Sequence, residues 1–233
     1  MQSIDIPRPS HAILSQLKQL SSATIWGVLS KMGIPSVVMR GIKPLNPGIT
    51  MVGPVQTLYY LPLREDKRYT PEWYRTSPPF QLANTVKEGD VIVVDAGGAY
   101  GYGGMGDVII TAYAVKSVGG MVYDGAIRDG PYAKNLHIPI FCRGTQPSVT
   151  PRLLPIAANV MIQCGGVLVE PGDVVFGDDD GVVVIPRNLV ETVAQKGIAQ
   201  EQIEVYSRKL LAAGRPLSDA YPPRDEWLTK PPI

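Results

Sequence analysis

Asp107, Arg128 and Asp129 are the side chains in this 233-residue chain best suited to carry chemistry. The arginine offers a planar fork that matches a carboxylate, and an aspartate offers hard oxygen ligands to a divalent cation. Mg²⁺ keeps most of its waters and takes only one or two protein carboxylates, so a sparse set of ligands suits Mg²⁺ or Mn²⁺ better than zinc. Twenty residues separate Asp107 from Arg128. That is room for a helix, a strand and a turn, an excursion that can return to the end where it began. The plainer readings are a charge at a helix N-terminus, worth a few tenths to ~1 kcal/mol, and an Arg–Asp pair pinning a turn, worth about 0 to 1 kcal/mol. Adjacent residues rarely face one another, which weakens the second of these.

Residues 97–107, Gly-Gly-Ala-Tyr-Gly-Tyr-Gly-Gly-Met-Gly-Asp, contain a literal G-x-G-x-x-G at Gly101, Gly103 and Gly106, with Asp124 further on. That is the outline of a dinucleotide fingerprint. Against it, the glycines begin after the preceding strand should have ended, and Asp107 would repel a pyrophosphate from the positive end of the following helix. A smaller anion fits the same amides: the carboxylate of a small oxo acid, held at the start of a helix over 107–118.

Composition removes other classes. The chain has two cysteines, Cys142 and Cys164, and two histidines, His11 and His137, with no spacing typical of a zinc site. Two buried thiols in a reduced, cytoplasmic setting is the simple reading of the cysteines. G-x-S-x-G is absent, which argues against a serine hydrolase of that kind. A net charge of +1 lends nothing to nucleic acid or an anionic membrane. Hydrophobic residues make up 45% of the chain, enough for a core, yet no apolar run approaches a membrane span. The N-terminus lacks the pattern of a secretory signal.

The elements that must hold these groups follow from periodicity. Residues 1–10 read as an extended arm. Ile13, Leu14, Leu17 and Leu20 form one helical stripe and Ile25, Val28, Leu29 and Met32 another, with Ser21 or Ser22 as cap and Gly33 as stop. Residues 48–62 predict a strand interrupted at Gly53-Pro54, and 63–79 an inserted surface loop or lid, followed by a short helix from Phe80. Glu88-Gly89-Asp90 and Pro171-Gly172-Asp173 each precede a β-branched run, which reads as hairpin chemistry. Met121 to Tyr123 should be a strand, with 124–130 a tight loop leaving it. A closing helix spans 188–213, and the proline-rich 214–233 is an arm. Strands and helices alternate without strict βαβ order, so the expectation is a single layered α/β domain with a barrel-like centre, its core at about 11–205.

Gly89-Asp90 through Asp95, Gly106-Asp107, Asp124 through Asp129, Pro139 through Thr145 and Pro171 through Arg187, in this order, resemble the RraA-like proteins. That family includes the 4-hydroxy-4-methyl-2-oxoglutarate/4-carboxy-4-hydroxy-2-oxoadipate aldolases. The resemblance implies a compact α/β/β sandwich of swivelling-domain type and a class II, metal-dependent lyase acting on a small 2-oxo acid. Retro-aldol cleavage releasing pyruvate, or decarboxylation of the oxaloacetate type, would run through a stabilised enolate. By the same analogy Asp129 holds Mg²⁺ or Mn²⁺, Arg128 grips the substrate carboxylate and Asp107 serves as acid/base through a water. Amides at Gly106, Val108 and Ile109 complete the carboxylate site. A homotrimer or homohexamer is implied, with the site near a subunit interface. Two positions depart from the family pattern: Gly27, where an aspartate is usual, and Tyr132, where aldolases often carry an acid. The alternatives are a non-catalytic regulator of ribonuclease activity, like one branch of the family, and the nucleotide reading through Gly101, Gly103 and Gly106.

Overall fold

A computed structural model describes residues 5–64, 66–67, 70–148 and 153–223. Two helices open the chain, α1 (His11–Leu17) and α2 (Ser22–Lys31), and Ser21 caps the second by accepting a hydrogen bond from the Thr24 amide. Short strands β1 (Val38–Met39) and β2 (Lys43–Pro44) follow, then β3 (Met51–Pro62), α3 (Pro71–Arg75) and α4 (Pro78–Thr85). The centre comprises β4 (Val91–Gly103), α5 (Asp107–Ala114), β5 (Gly120–Ile127), α6 (Gly130–Ala133) and β6 (Ile140–Thr145). Strands β7 (Leu153–Ala158), β8 (Ile162–Cys164), β9 (Val167–Val169), β10 (Val174–Asp178) and β11 (Gly181–Ile185) come next, and helices α7 (Val190–Ala212) and α8 (Leu217–Ala220) close the described chain.

Among the described residues nine strands form one mixed sheet in the order β1-β11-β10-β3-β4-β5-β6-β2, with β7 also paired to β3. Only residues 40–42 join β1 to β2, so the two ends of the strand path must come together; Lys43 Nζ donates to the Asp180 carbonyl across them at 2.7 Å. The sheet therefore curls around its own inner face. That face buries Met51, Val55, Val93, Val122, Phe141, Val175 and Val184 among others, the barrel-like centre expected above. Side chains alternate across a strand, so neighbouring residues fill the outer layers. Leu82, Ile92, Ile110, Tyr113, Met121 and Tyr123 pack beneath α4 and α5, while Leu17, Ile25, Leu29, Phe176, Val183 and Val193 pack beneath α1, α2 and α7. Each fully buried Val, Leu or Ile stabilises the fold by about 1.5–3 kcal/mol.

Strands β3 to β6 run parallel, with α3 and α4, then α5, then α6 in the successive crossovers. The centre is thus more regularly βαβ than the sequence suggested. In consequence Glu88-Gly89-Asp90 leads into a parallel strand and makes no hairpin, and Pro171-Gly172-Asp173 joins β9 to β10, which do not pair; the hairpin lies just beyond, where β10 turns at Asp179-Asp180 and pairs antiparallel with β11. Nor does Gly53-Pro54 interrupt β3. The strand changes partners there, pairing with β10 up to Pro54 and with β4 from Val55, and a Cβ at Gly53 would overlap the Gly89 carbonyl oxygen. Residues 63–79 hold α3, started by Pro71 and capped by Thr70, whose side chain accepts from the Trp73 amide at 3.1 Å. The glycine stretch is an irregular continuation of β4 to Gly103, with register shifts after Val94 and Ala99. Residues 124–127 belong to β5 and are wholly buried. Of the expected C-terminal arm, α8 lies against α7, and residues 224–233 lie outside the described chain.

Candidate active site

Open parallel sheets collect ligands at the carboxyl ends of their strands, where chain directions leave a crevice between diverging loops. Here β4, β5 and β6 end at Gly103, Ile127 and Thr145. Backbone bonds lace the segments beyond them together. Gly104 N donates to Ala126 O at 2.9 Å, Arg128 N to Met105 O at 2.9 Å and Gln146 N to Ile127 O at 2.9 Å. This framework brings Asp107, Arg128 and Asp129 to one place although the chain between them leaves and returns.

Asp107 is the first residue of α5, and Gly106 before it has no side chain to cap the helix. The positive end of the helix is therefore open to a carboxylate from elsewhere. Asp129 Oδ2 approaches it, 3.4 Å from the Asp107 amide. A Cβ at Gly106 would sit 2.7 Å from that same oxygen and 3.1 Å from Arg128 Cγ, so the approach requires glycine. Asp129 itself adopts φ 58° and ψ 38°, the left-handed region. For a non-glycine residue this stores of order 1–3 kcal/mol of strain, which persists only where the surroundings dictate it and is frequent at functional sites. The Asp129 carbonyl accepts from the Tyr132 and Ala133 amides, both at 3.0 Å, and so anchors α6.

Arg128 Nε lies 3.2 Å from Asp129 Oδ2, but the geometry makes no hydrogen bond, and this nitrogen is buried with no hydrogen-bond partner among the described residues. Both side chains retain about a third of their surface, 36% and 29%. A buried donor left unsatisfied costs about 1–3 kcal/mol, so the guanidinium is prepared for an anionic ligand. Val108 is exposed and Ile109 partly buried against the outer core, their amides in the uncapped first turn of α5. Beside Asp129 a cleft of about 320 Å³ opens, lined also by Tyr132, Thr145 and Gln146. Among the described residues no group of three or more His, Cys, Asp and Glu could hold a metal. The Asp129 carboxylate, a hard oxygen donor beside a cleft with room for water, fits Mg²⁺ or Mn²⁺ and not a closed zinc site.

Four residues before Arg128, within β5, the chemistry is different. Asp124, at 1% exposure, accepts from Arg143 Nε at 2.5 Å and from the Gly165 amide at 2.8 Å. Asp95 accepts from the Gly97 amide at 2.9 Å, and burial holds its carboxyl above the usual range. These contacts overturn the nucleotide geometry. Asp124 is sealed from solvent and so out of reach of a ribose, and Gly101 and Gly103 lie in a strand instead of a phosphate-binding turn. Cys142 and Cys164 are free and buried, and burial pushes the Cys142 thiol up to about 11. His11 lines a second cleft at the opposite, amino-terminal end of the strands, together with Arg8, Lys18 and Glu88, and His137 is exposed. Thr145 and Gln146 were not singled out from sequence as cleft-lining. Their only signal is their place at the carboxyl end of β6, which has meaning once that strand is known to be parallel.

Residues 19–184 match the family model described as Aldolase/RraA. A Halalkalibacterium halodurans protein, provisionally named 4-hydroxy-4-methyl-2-oxoglutarate aldolase, is 39% identical over 155 residues, which is 66% of this chain and 69% of that protein. The crystal structure of Streptomyces coelicolor RraAS2, described as an unusual member of the RNase ES inhibitor RraA family, superposes with a TM-score of 0.78 at 36% identity, covering 88% of this chain and 99% of that one. An uncharacterised protein of Pseudomonas syringae pv. tomato superposes at 0.79 with 26% identity, covering 92% and 99%.

Proposed function

The chain belongs to the RraA-like family, and from that premise we propose that it is a divalent-metal-dependent lyase acting on a 2-oxo acid, by retro-aldol cleavage or by decarboxylation of the oxaloacetate type. The observation that carries this reading is the meeting of Arg128 Nε, Asp129 Oδ2 and the Asp107 amide within 3.2 to 3.4 Å at the carboxyl ends of parallel strands. A purely structural Arg–Asp pair has no need of strained backbone or of a buried donor without a partner.

Arg128 takes the substrate carboxylate, helped by the first-turn amides of Val108 and Ile109. Asp129 would hold the cation, with Asp107 at the start of α5 beside it. When bound, Mg²⁺ or Mn²⁺ supplies positive charge beside the C2 carbonyl oxygen, an effect worth several kcal/mol in the transition state. In the retro-aldol reaction the proton on the C4 hydroxyl passes through a water to the Asp107 carboxylate. The C3–C4 bond breaks, its electron pair stays on C3 and delocalises to the C2 oxygen, and the C4 fragment leaves as a carbonyl compound. A proton returned to C3 from the same water yields pyruvate. Arg128 lowers the energy of the enolate by placing fixed charge where negative charge develops, so no reorganisation is needed at that moment. A homotrimer or homohexamer with the site near a subunit interface completes the proposal.

The experiment is pyruvate release from oxaloacetate and from 4-hydroxy-2-oxo acids, with Mg²⁺ or Mn²⁺ and again with EDTA. Turnover with metal and its loss with chelator are expected; equal rates in both would defeat the metal-dependent reading. The likeness to RraAS2 favours a second reading, a non-catalytic inhibitor of a ribonuclease. Inhibition of ribonuclease E without pyruvate release from any of these acids would select it.

A further inference from the structure

We infer that the cleft at the amino-terminal ends of the parallel strands binds a zwitterionic small molecule of the α-amino-acid class, its carboxylate toward Lys18 and its ammonium toward Glu88. This goes beyond the lyase reading and does not depend on it. The cleft has a volume of about 430 Å³, within the range of about 300–1,000 Å³ found for ligand sites. Two sets of elements build it. One wall is a single face of α1. There His11, Leu14, Ser15 and Lys18 recur at intervals of three and four residues, the spacing that brings side chains to the same side of a helix. The floor is the start of β3 with the turns that enter β4 and β5, among them Glu88, Gly89 and Ser117.

Backbone bonds hold the floor. Gly89 N donates to the Ser117 carbonyl at 3.0 Å, Gly119 N to the Asp90 carbonyl at 2.8 Å and Met121 N to the Pro139 carbonyl at 2.9 Å. Ser117 adopts φ 55°, a left-handed conformation that a non-glycine residue keeps only where its surroundings dictate it. The N-terminal arm closes the remaining side. Its Arg8 donates from Nε and Nη2 to the fully buried Asp90, at 2.8 and 2.9 Å, and from Nη1 to Asp5 and the Ile6 carbonyl. That guanidinium is engaged within the chain, so the charges the lining offers a ligand are the Lys18 ammonium and the Glu88 carboxylate, one of each sign on different walls. An anion alone would meet Glu88 and a cation alone would meet Lys18. A zwitterion satisfies both, so the arrangement rejects as well as attracts. Leu14, Val52 and Val118, with Pro9, Pro54 and Pro139, supply apolar surface for a short aliphatic side chain.

The test is calorimetric titration of the full chain at about pH 8, which keeps histidine neutral. The probes are L-valine and its two half-analogues: 3-methylbutanoate, which lacks the amine, and 2-methylpropan-1-amine, which lacks the carboxylate. We expect valine to bind at least about tenfold more tightly than either, since each half leaves one cleft charge unmatched and meets the other as a like charge. Lys18→Gln and Glu88→Gln should each weaken valine by about fivefold, the reach of an exposed ion pair. Their signatures should be opposite: the first leaves the amine's affinity unchanged or raised, and the second does the same for 3-methylbutanoate. Both side chains are exposed, so the fold is retained, and pyruvate release from the oxo acids should stay at the native rate. A half-analogue that binds as tightly as valine overturns the zwitterion. Valine binding that neither substitution changes, or no saturable binding of valine, overturns the site. None of these outcomes touches the lyase reading, which falls only on the pyruvate assay.

Discussion

Arg143 and Asp124 stand on β6 and β5, and Arg128 and Asp129 follow the end of β5, so two arginine–aspartate pairs occupy the same end of the same sheet. In the first pair the guanidinium bonds the carboxylate at 2.5 Å, a backbone amide from Gly165 takes the other oxygen, and the aspartate is sealed from water. In the second the groups come to 3.2 Å without a hydrogen bond, the arginine Nε has no hydrogen-bond partner among the described residues, and the aspartate backbone is held left-handed. The residue types are the same and the satisfaction of their polar atoms is opposite. Saturated polar groups fix a fold, whereas unsatisfied ones in a strained setting retain free energy that a ligand can release.

The largest effect expected from this contrast is at Asp129. Asn tolerates the left-handed region, so Asp129→Asn keeps the backbone and removes the charge. It should lower kcat/KM by about 10³, with little change in the thermal midpoint. Near-native turnover in the variant would erase the distinction between the pairs. At the other pair the outcome should be reversed. Arg143→Met leaves Asp124 buried and uncompensated, which should cost about 3 kcal/mol of stability, read from the denaturant midpoint, while turnover per folded molecule changes little. A variant that folded normally and lost activity would place Arg143 in the site.

The smallest effect sharpens the satisfied region alone. Burial raises the Asp95 carboxyl, so its neutral form is favoured by folding. Its contribution to stability is therefore present below the unfolded value, near 3.8, and is lost as pH rises through the higher folded value. Asp95→Asn removes this dependence. The stability of the native chain relative to the variant should decline from acid pH toward neutrality, measured by melting across that interval. An increase over the same interval would mean that the Gly97 and Gln163 amides outweigh desolvation.

Much of this was legible in the chain. The stripes of α1 and α2, the cap at Ser21, the stop at Gly33 and the closing α7 follow from periodicity and turn chemistry, which are local. Asp107, Arg128 and Asp129 could be selected because charged residues among glycines in a mainly apolar segment have few structural uses. What failed was non-local. Gly53-Pro54 looks like a break because those residues weaken strands, yet the structure uses them where β3 passes from β10 to β4. Gly97 through Gly103 looks like a loop because glycine permits one, yet neighbouring backbone holds it as strand.

By itself, then, the sequence determined the inventory and its spacing: two acids and an arginine able to meet, no zinc-type ligand set, and helices whose faces were written in their apolar positions. Which arginine grips which aspartate was decided only by the tertiary structure. The two ion pairs have the same residue types, and they differ in whether the guanidinium Nε makes a hydrogen bond to the carboxylate and in which distant backbone amide meets that carboxylate. Gly165 reaches Asp124, while Arg128 Nε is left without a hydrogen bond among the described residues. That difference arises from the crossing of chain segments, which no local pattern encodes.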